Sequence, residues 1–222
     1  MDAVKVLINK SQNNDFGAFE QLINLYQHRV YALSYQLAGN HADAQDLAQE
    51  VFIKAFLAIK GFRNEADFGT WLHRITINLW LNIKRKQNIL STLSLDQPIQ
   101  SAGEEVYREL AATSGNPEKF VEDRELSSLV RLALNELSAE HKAMLVLRDI
   151  EGYSYEEMAA ILSCSLGTVK SRLNRARQLL KQKVVLFTQE MEGKAFTGEG
   201  KVGQGFAKIK KKDKDNSFKK GF

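Results

Sequence analysis

The sequence predicts an all-α protein of two small helical domains joined by a flexible linker, and three observations carry that expectation. Apolar residues recur at spacings of three and four on both sides of a central stretch, the signature of amphipathic helices. Only two prolines occur in 222 residues. Both of them, Pro98 and Pro117, fall in the central stretch, which also holds Ser101, Gly103, Ser114 and Gly115 and shows no sustained period, as a linker would. The expected boundaries are residues 1–95 for the first domain, 96–122 for the linker and 123–187 for the second domain. Residues 188–222 form a glycine- and lysine-rich tail, with too few large apolar residues to bury a core, and are expected to be disordered.

Composition excludes several classes. No apolar run, residues 143–147 among them, exceeds five members. A membrane span needs about 20 and a secretory leader at least about 7. The single cysteine, Cys164, can neither close an internal disulfide nor hold zinc alone, so a reducing, cytoplasmic compartment is expected. The formal charge of +4 misleads, because eight lysines and two aspartates sit in the last 22 residues, leaving −2 for the rest. Local clusters therefore matter more than the total. Residues 170–183 hold six basic groups and no acid, and residues 73–86 hold four with none, counting Lys and Arg.

In the first domain, Phe19, Leu22, Ile23, Tyr26 and Val30 mark one helix. A second follows Gly39 and Asn40, with Leu47, Val51, Ala55 and Ile59 as its apolar stripe, and stops at Gly61. Its other faces carry Asp43, Asp46, Gln49, Glu50 and Lys54. A third starts near Asp67, a candidate N-cap, and runs to about Lys86. Phe68, Trp71, Leu72, Ile75 and Leu79 form its buried stripe, which makes Trp71 a core residue and leaves Trp80 off the stripe. Arg74, Asn78, Asn82 and Arg85 line up as a polar and basic stripe on another side. The four histidines, His28, His41, His73 and His141, lack ligand spacing and read as ordinary surface or helix residues.

In the second domain, Leu126, Leu129, Val130, Ala133, Leu134 and Leu137 give one helical period, and Ser138 can cap the next helix, which Gly152 ends. Ser154 to Glu157 is a capping-box sequence, in which the serine oxygen takes the third amide and the glutamate returns to the cap amide. A short helix to Leu162, the turn Ser163-Cys164-Ser165 and a long helix from about Leu166 then fit a helix-turn-helix. Met158, Leu162, Cys164 and Val169 fall where that motif buries side chains. Ser163 stands where glycine is more usual. The second helix exposes Thr168, Lys170, Ser171, Arg172, Asn174, Arg175 and Arg177, groups that donate to base edges and phosphates.

Residues 152–159 (GYSYEEMA) with 167–177 (GTVKSRLNRAR) resemble region 4 of bacterial extracytoplasmic-function sigma factors, members of the sigma-70 family. Residues 46–56 (DLAQEVFIKAF) and 68–78 (FGTWLHRITIN) resemble their region 2, and Asn116-Pro117-Glu118 is similar to the cell-envelope stress subgroup. The resemblance covers about residues 10–187. It implies a subunit that directs RNA polymerase to promoters of a stress-response regulon, with no catalytic residues, cofactor, metal or small-molecule substrate of its own. Its implied partners are core RNA polymerase, promoter DNA and an anti-sigma factor, often membrane-anchored. Thr168, Lys170, Ser171, Arg172 and Arg175 would then read the −35 element. Phe62, Arg63 and Asn64 with Arg74, Asn78, Asn82 and Arg85 would bind and help melt the −10 element, and Asp46, Gln49, Glu50 and Ile53 would dock on the polymerase.

Two other readings stand beside this one. A stand-alone helix-turn-helix regulator would bind duplex operators without polymerase. A metal-dependent nuclease would use Asp43, Asp46 and Glu50 as ligands, although the same three acids also suit a solvated helical face. Polymerase dependence separates all three readings.

Overall fold

The computed structural model describes residues 2–64, 66–93 and 117–196, and every regular element among them is helical. The helices are α1 (Asp2–Gln12), α2 (Phe16–Ala38), α3 (His41–Ala58), α4 (Phe68–Leu93), α5 (Pro117–Asn135), α6 (Ala139–Leu145), α7 (Tyr155–Leu162) and α8 (Leu166–Phe196). Most of the expected linker and the lysine-rich part of the expected tail lie outside the described residues.

Local chemistry sets the helix ends. Asp15 caps α2 by accepting the Ala18 N–H at 3.0 Å. Gly39 closes the same helix in the left-handed region at φ 86°, its N–H on the Tyr35 carbonyl, where glycine is the least strained residue. Asn40 immediately caps α3 through the Asp43 N–H at 2.9 Å, so α2 and α3 form a hairpin with a two-residue connection. The Asp67 carboxylate accepts the Gly69 N–H at 2.9 Å and opens α4, as its sequence position suggests. Ser154 and Glu157 close both bonds of the capping box at 3.1 and 2.8 Å.

The chain divides into two compact units, residues 1–105 with 138–176, and residues 106–137 with 177–222. In the first, α2 packs on α1, α3 and α4. Val30, Leu33, Leu37, Val51, Ala55, Leu72 and Ile77 are fully buried there, and burying each leucine- or isoleucine-sized side chain contributes about 1.5–3 kcal/mol. The same unit holds α6, α7 and the start of α8, with Ala143, Leu147, Met158, Val169 and Ala176 buried, and α4 contacts both α6 and α7. The second unit contains α5 and the distal part of α8, where Lys183 bridges to Glu136 at 3.2 Å.

Several sequence expectations are corrected. Helix α5 begins at Pro117, inside the stretch assigned to linker; proline suits a first helical turn, whose N–H needs no intrahelical partner. Helix α8 continues to Phe196, past the expected start of the tail at residue 188. Helix α1 had no counterpart in the expected elements. In the helix-turn-helix, Ile161 is fully buried, while Leu162 and Cys164 are half-buried. Trp71, expected in the core, is half-buried, and Trp80, which the stripe left open, is buried.

A methyl group at Gly69 would lie 2.9 Å from Asp67 Oδ2, 3.1 Å from Arg29 Nη1 and 3.2 Å from the Tyr26 ring. Gly69→Ala should therefore displace the α4 cap and lower stability by about 1 kcal/mol, read from urea unfolding; an unchanged midpoint would show that the cap tolerates the shift.

Candidate nucleic-acid interfaces

The recognition segment starts from the turn between α7 and α8. Ser163 ends α7 in the left-handed region at φ 51°, a conformation unfavourable for a residue with a Cβ. Ser165 then accepts the Thr168 N–H at 3.1 Å, and its hydroxyl lies 2.8 Å from Thr168 Oγ1. Val169, Leu173 and Ala176 form the buried side of α8, so Lys170, Ser171, Arg172 and Arg175 project to solvent. Thr168 is half-buried, and the Ser171 hydroxyl donates to the Thr168 carbonyl at 3.1 Å. The unengaged donors of this face are thus mainly cationic.

On α4, Arg74, Asn78, Asn82 and Arg85 are all exposed, and Arg85 Nη1 donates to Asn82 Oδ1 at 3.1 Å. A groove of about 600 Å³ between α3 and α4 is lined by Asn78, Asn82 and Arg85 on one side and Glu50 on the other. Sequence placed these residues in two separate sites, and the fold puts them on one groove. Asp46, Gln49, Glu50 and Ile53 are exposed on α3, with Glu50 3.6 Å from Lys54. Leu57, 75% exposed, extends their stripe by one turn; its i+4 spacing from Ile53 was a legible signal that sequence reasoning passed over.

Phe62 does not stand where a stacking residue would. It is 6% exposed, its ring packed 5.5 Å from Phe68 and 5.0 Å from Trp71. The cause is α1: Gln12 Nε2 donates to the Ile59 carbonyl at 3.0 Å and to the Phe62 carbonyl at 2.8 Å, which turns the ring inward. Arg63 and Asn64 remain exposed, Asn64 at φ 56°. Among the described residues no group of three His, Cys, Asp or Glu side chains gathers as metal ligands. Asp43 is instead engaged by the α3 cap.

His73 is not a surface histidine. It is 1% exposed, its Nδ1 2.8 Å from the Tyr153 hydroxyl and 3.8 Å from Glu151 Oε2. Burial, then the nearby Arg29 guanidinium, push its pKa down to about 4, against a smaller opposing effect of Asp67. At neutral pH the ring is uncharged, so the contact with Glu151 is not an ion pair. Lys142 is 4% exposed, its ammonium 6.0 Å from the centre of the Trp80 ring. Burial and then Lys84 bring its pKa down to about 8.

The proton balance gives a sign. Unfolded His73 titrates near 6.5, so between pH 6.5 and 4 the unfolded chain binds the extra proton and stability falls with pH, by at most about 3 kcal/mol. Burial raises the Glu151 pKa, which opposes this, but its side chain is 21% exposed against 2% for His73. Urea midpoints should thus fall from pH 6.5 to 4, and His73→Gln should flatten that slope; a slope unchanged by the substitution would place the titration elsewhere.

Comparison with known proteins agrees with this architecture. The model of Sigma-70 region 2 matches residues 22–89, and that of Sigma-70, region 4 matches residues 127–180. The ECF RNA polymerase sigma-E factor of Escherichia coli (strain K12) is 36% identical over 180 residues, 81% of this chain and 93% of that protein. The ECF RNA polymerase sigma factor SigE of Mycolicibacterium smegmatis is 38% identical over 173 residues, 78% of this chain; the match spans 64% of that protein's length. The sigma factor RpoE of Bartonella quintana, solved in complex with the anti-sigma factor NepR, superposes with a TM-score of 0.56 at 28% identity, over 75% of this chain and 96% of that one. CnrH, solved with the cytosolic domain of CnrY, shares the fold at a TM-score of 0.54 and 23% identity, over 81% and 96%. With both family regions in order and a relative covered nearly end to end, the chain belongs to the sigma-70 family, as an extracytoplasmic-function sigma factor.

Proposed function

We propose that this chain directs core RNA polymerase to specific promoters and acts by binding, without a reaction of its own. The observation that carries the proposal is the helix-turn-helix whose second helix buries Val169, Leu173 and Ala176 and presents Lys170, Arg172 and Arg175 to solvent. Such a helix places donors against base edges in the major groove. The exposed strip of α4, with Arg63 and Asn64 beside it in sequence, supplies a second set: asparagines for unstacked base edges and arginines for phosphates. The exposed α3 stripe from Asp46 to Leu57 mixes acids with apolar side chains, a composition suited to a protein partner, and we assign it to polymerase docking. The domain boundaries follow the two regions, with residues 96–122 between them and α5 beginning inside that stretch at Pro117.

The site of action is the cytoplasm, where polymerase and DNA are; no helix among the described residues is long and apolar enough to cross a membrane. An anti-sigma factor is a further partner on this reading, by analogy with the Bartonella quintana sigma factor solved with the anti-sigma factor NepR. A stress-response regulon belongs to the same proposal and rests on the resemblance of residues 116–118 to the cell-envelope stress subgroup.

Co-purification with core polymerase and promoter-specific run-off transcription test the whole proposal; a chain that binds promoter duplex equally well without polymerase would be a stand-alone regulator. Arg172→Ala should weaken the cognate −35 duplex by about 5- to 150-fold, one bidentate contact, and leave random duplex unaffected. Equal loss on both would make Arg172 a phosphate contact. Asn78→Ala should reduce permanganate reactivity of −10 thymines in the polymerase complex with little effect on initial binding. Glu50→Lys should lower core affinity at unchanged helicity, and normal affinity would move docking to another face.

A further inference from the structure

Helix α1 ends at Gln12, whose side chain reaches the segment that leads into the proposed strand-binding loop. The backbone on both sides of Gln12 is fixed. Before it, Ile8 and Ser11 are buried, and the Ser11 hydroxyl donates to the Leu7 carbonyl at 2.7 Å. Past it the chain reverses at once. The Asn13 and Asn14 N–H groups donate to the Lys10 and Ser11 carbonyls at 3.0 and 3.1 Å, with Asn14 at φ 66°. Asp15 donates its N–H to the Lys10 carbonyl at 3.1 Å and then caps α2. The Gln12 amide is therefore presented from a backbone with little freedom of its own.

Both hydrogens of that amide have an acceptor. Nε2 donates to the Ile59 carbonyl at 3.0 Å and to the Phe62 carbonyl at 2.8 Å, the full donor capacity of a glutamine. The Ile59 carbonyl also takes the Phe62 N–H at 3.0 Å, which closes the turn Ile59–Gly61. The second bond acts beyond the turn. A peptide unit is planar, so holding the Phe62 oxygen fixes the plane that carries the Arg63 nitrogen and aims the Arg63 N–H the opposite way. Arg63 and Asn64 follow, both exposed, with Asn64 at φ 56°, a left-handed conformation that asparagine adopts more readily than most residues. Burial of Ile8 would by itself seat α1 against its neighbours, but apolar contact is non-directional. It would not choose the orientation of one peptide plane.

We propose that Gln12 is a positioning residue for strand recognition: through the Ile59 and Phe62 carbonyls it presets Arg63 and Asn64 in the backbone conformation in which they meet the unpaired −10 strand. This rests on the promoter reading above. Gln12 acts through the two carbonyls and needs no contact with DNA. A loop ordered in advance loses less conformational entropy when the strand binds, and affinity rises accordingly.

Gln12→Met and Gln12→Glu test this, because each keeps the length of the side chain and both remove the donor. Each hydrogen bond is worth about 2- to 12-fold, so either variant, bound to core polymerase, should take the non-template −10 strand, supplied as an oligonucleotide, about fivefold or more weakly. Affinity for core polymerase and for the −35 duplex should not change. In the free chain, hydrogen exchange should quicken at the Phe62 amide and stay at the parent level elsewhere in the first unit. In a background carrying both Arg63→Ala and Asn64→Ala, the loss from Gln12→Met should shrink below about twofold, because the residues it positions are gone. A full, additive loss in that background would overturn the positioning role. So would faster exchange with parental strand affinity, which would leave Gln12 a structural brace, and so would parental values of both. If one variant loses core affinity or helicity by circular dichroism, the other decides; loss in both would make Gln12 a determinant of the whole unit and overturn the proposal. A parent holoenzyme that does not prefer the −10 strand to a scrambled strand would refute the promoter reading instead, and hydrogen exchange would still judge the brace.

Discussion

Helix α4 is enclosed on most of its circumference, and this enclosure governs the rest of the first unit. Phe68, Leu72 and Leu79 face inward, as an amphipathic helix requires, but His73, Thr76, Ile77 and Trp80 are buried as well. Between Phe68 and Arg85 the exposed side chains are Arg74, Asn78, Asn82 and Arg85, and past Arg85 residues 86–90 are exposed on every side of the helix. A helix covered this widely needs partners for its polar groups. Thr76 bonds back to the Leu72 carbonyl at 2.9 Å, and His73 takes the Tyr153 hydroxyl. The strip is consequently held in fixed register, with donors about one turn apart.

The parts of this fold legible in the sequence are those decided within a few residues. Asn40, Asp67, Ser138 and Ser154 each bond to an amide two or three positions on, so their types and spacing suffice. Ser163 was visible as an unusual residue at a position favouring glycine, and its positive φ agrees. The exposed faces of α3 and α8 followed from periodicity, because each helix has one dominant buried side.

The illegible parts depend on residues far apart in the chain. Phe62 turns inward because Gln12, fifty residues earlier, binds its carbonyl. No local pattern encodes that bond. His73 and Trp80 are buried through Tyr153 and Lys142, eighty and sixty-two positions away, so a single-helix wheel misplaces the first and leaves the second open. The start of α5 was a different failure: Pro117 was assigned to the linker, although its ring is at ease in a first helical turn.

Between α6 and the loop before α7, residues Val146–Ile150 wind as one π-helical turn. A π turn takes up one residue more than an α turn would, and each residue of an α-helix carries about 100° of rotation. The extra residue sets Arg148 where its guanidinium reaches both the Tyr153 carbonyl and, at 5.0 Å, the Tyr155 ring. The orientation of the whole DNA-reading motif is therefore stored as a winding number in five residues. A gain or loss of a single residue there acts as a discrete rotational gear, re-aiming the motif without altering any exposed side chain of α8.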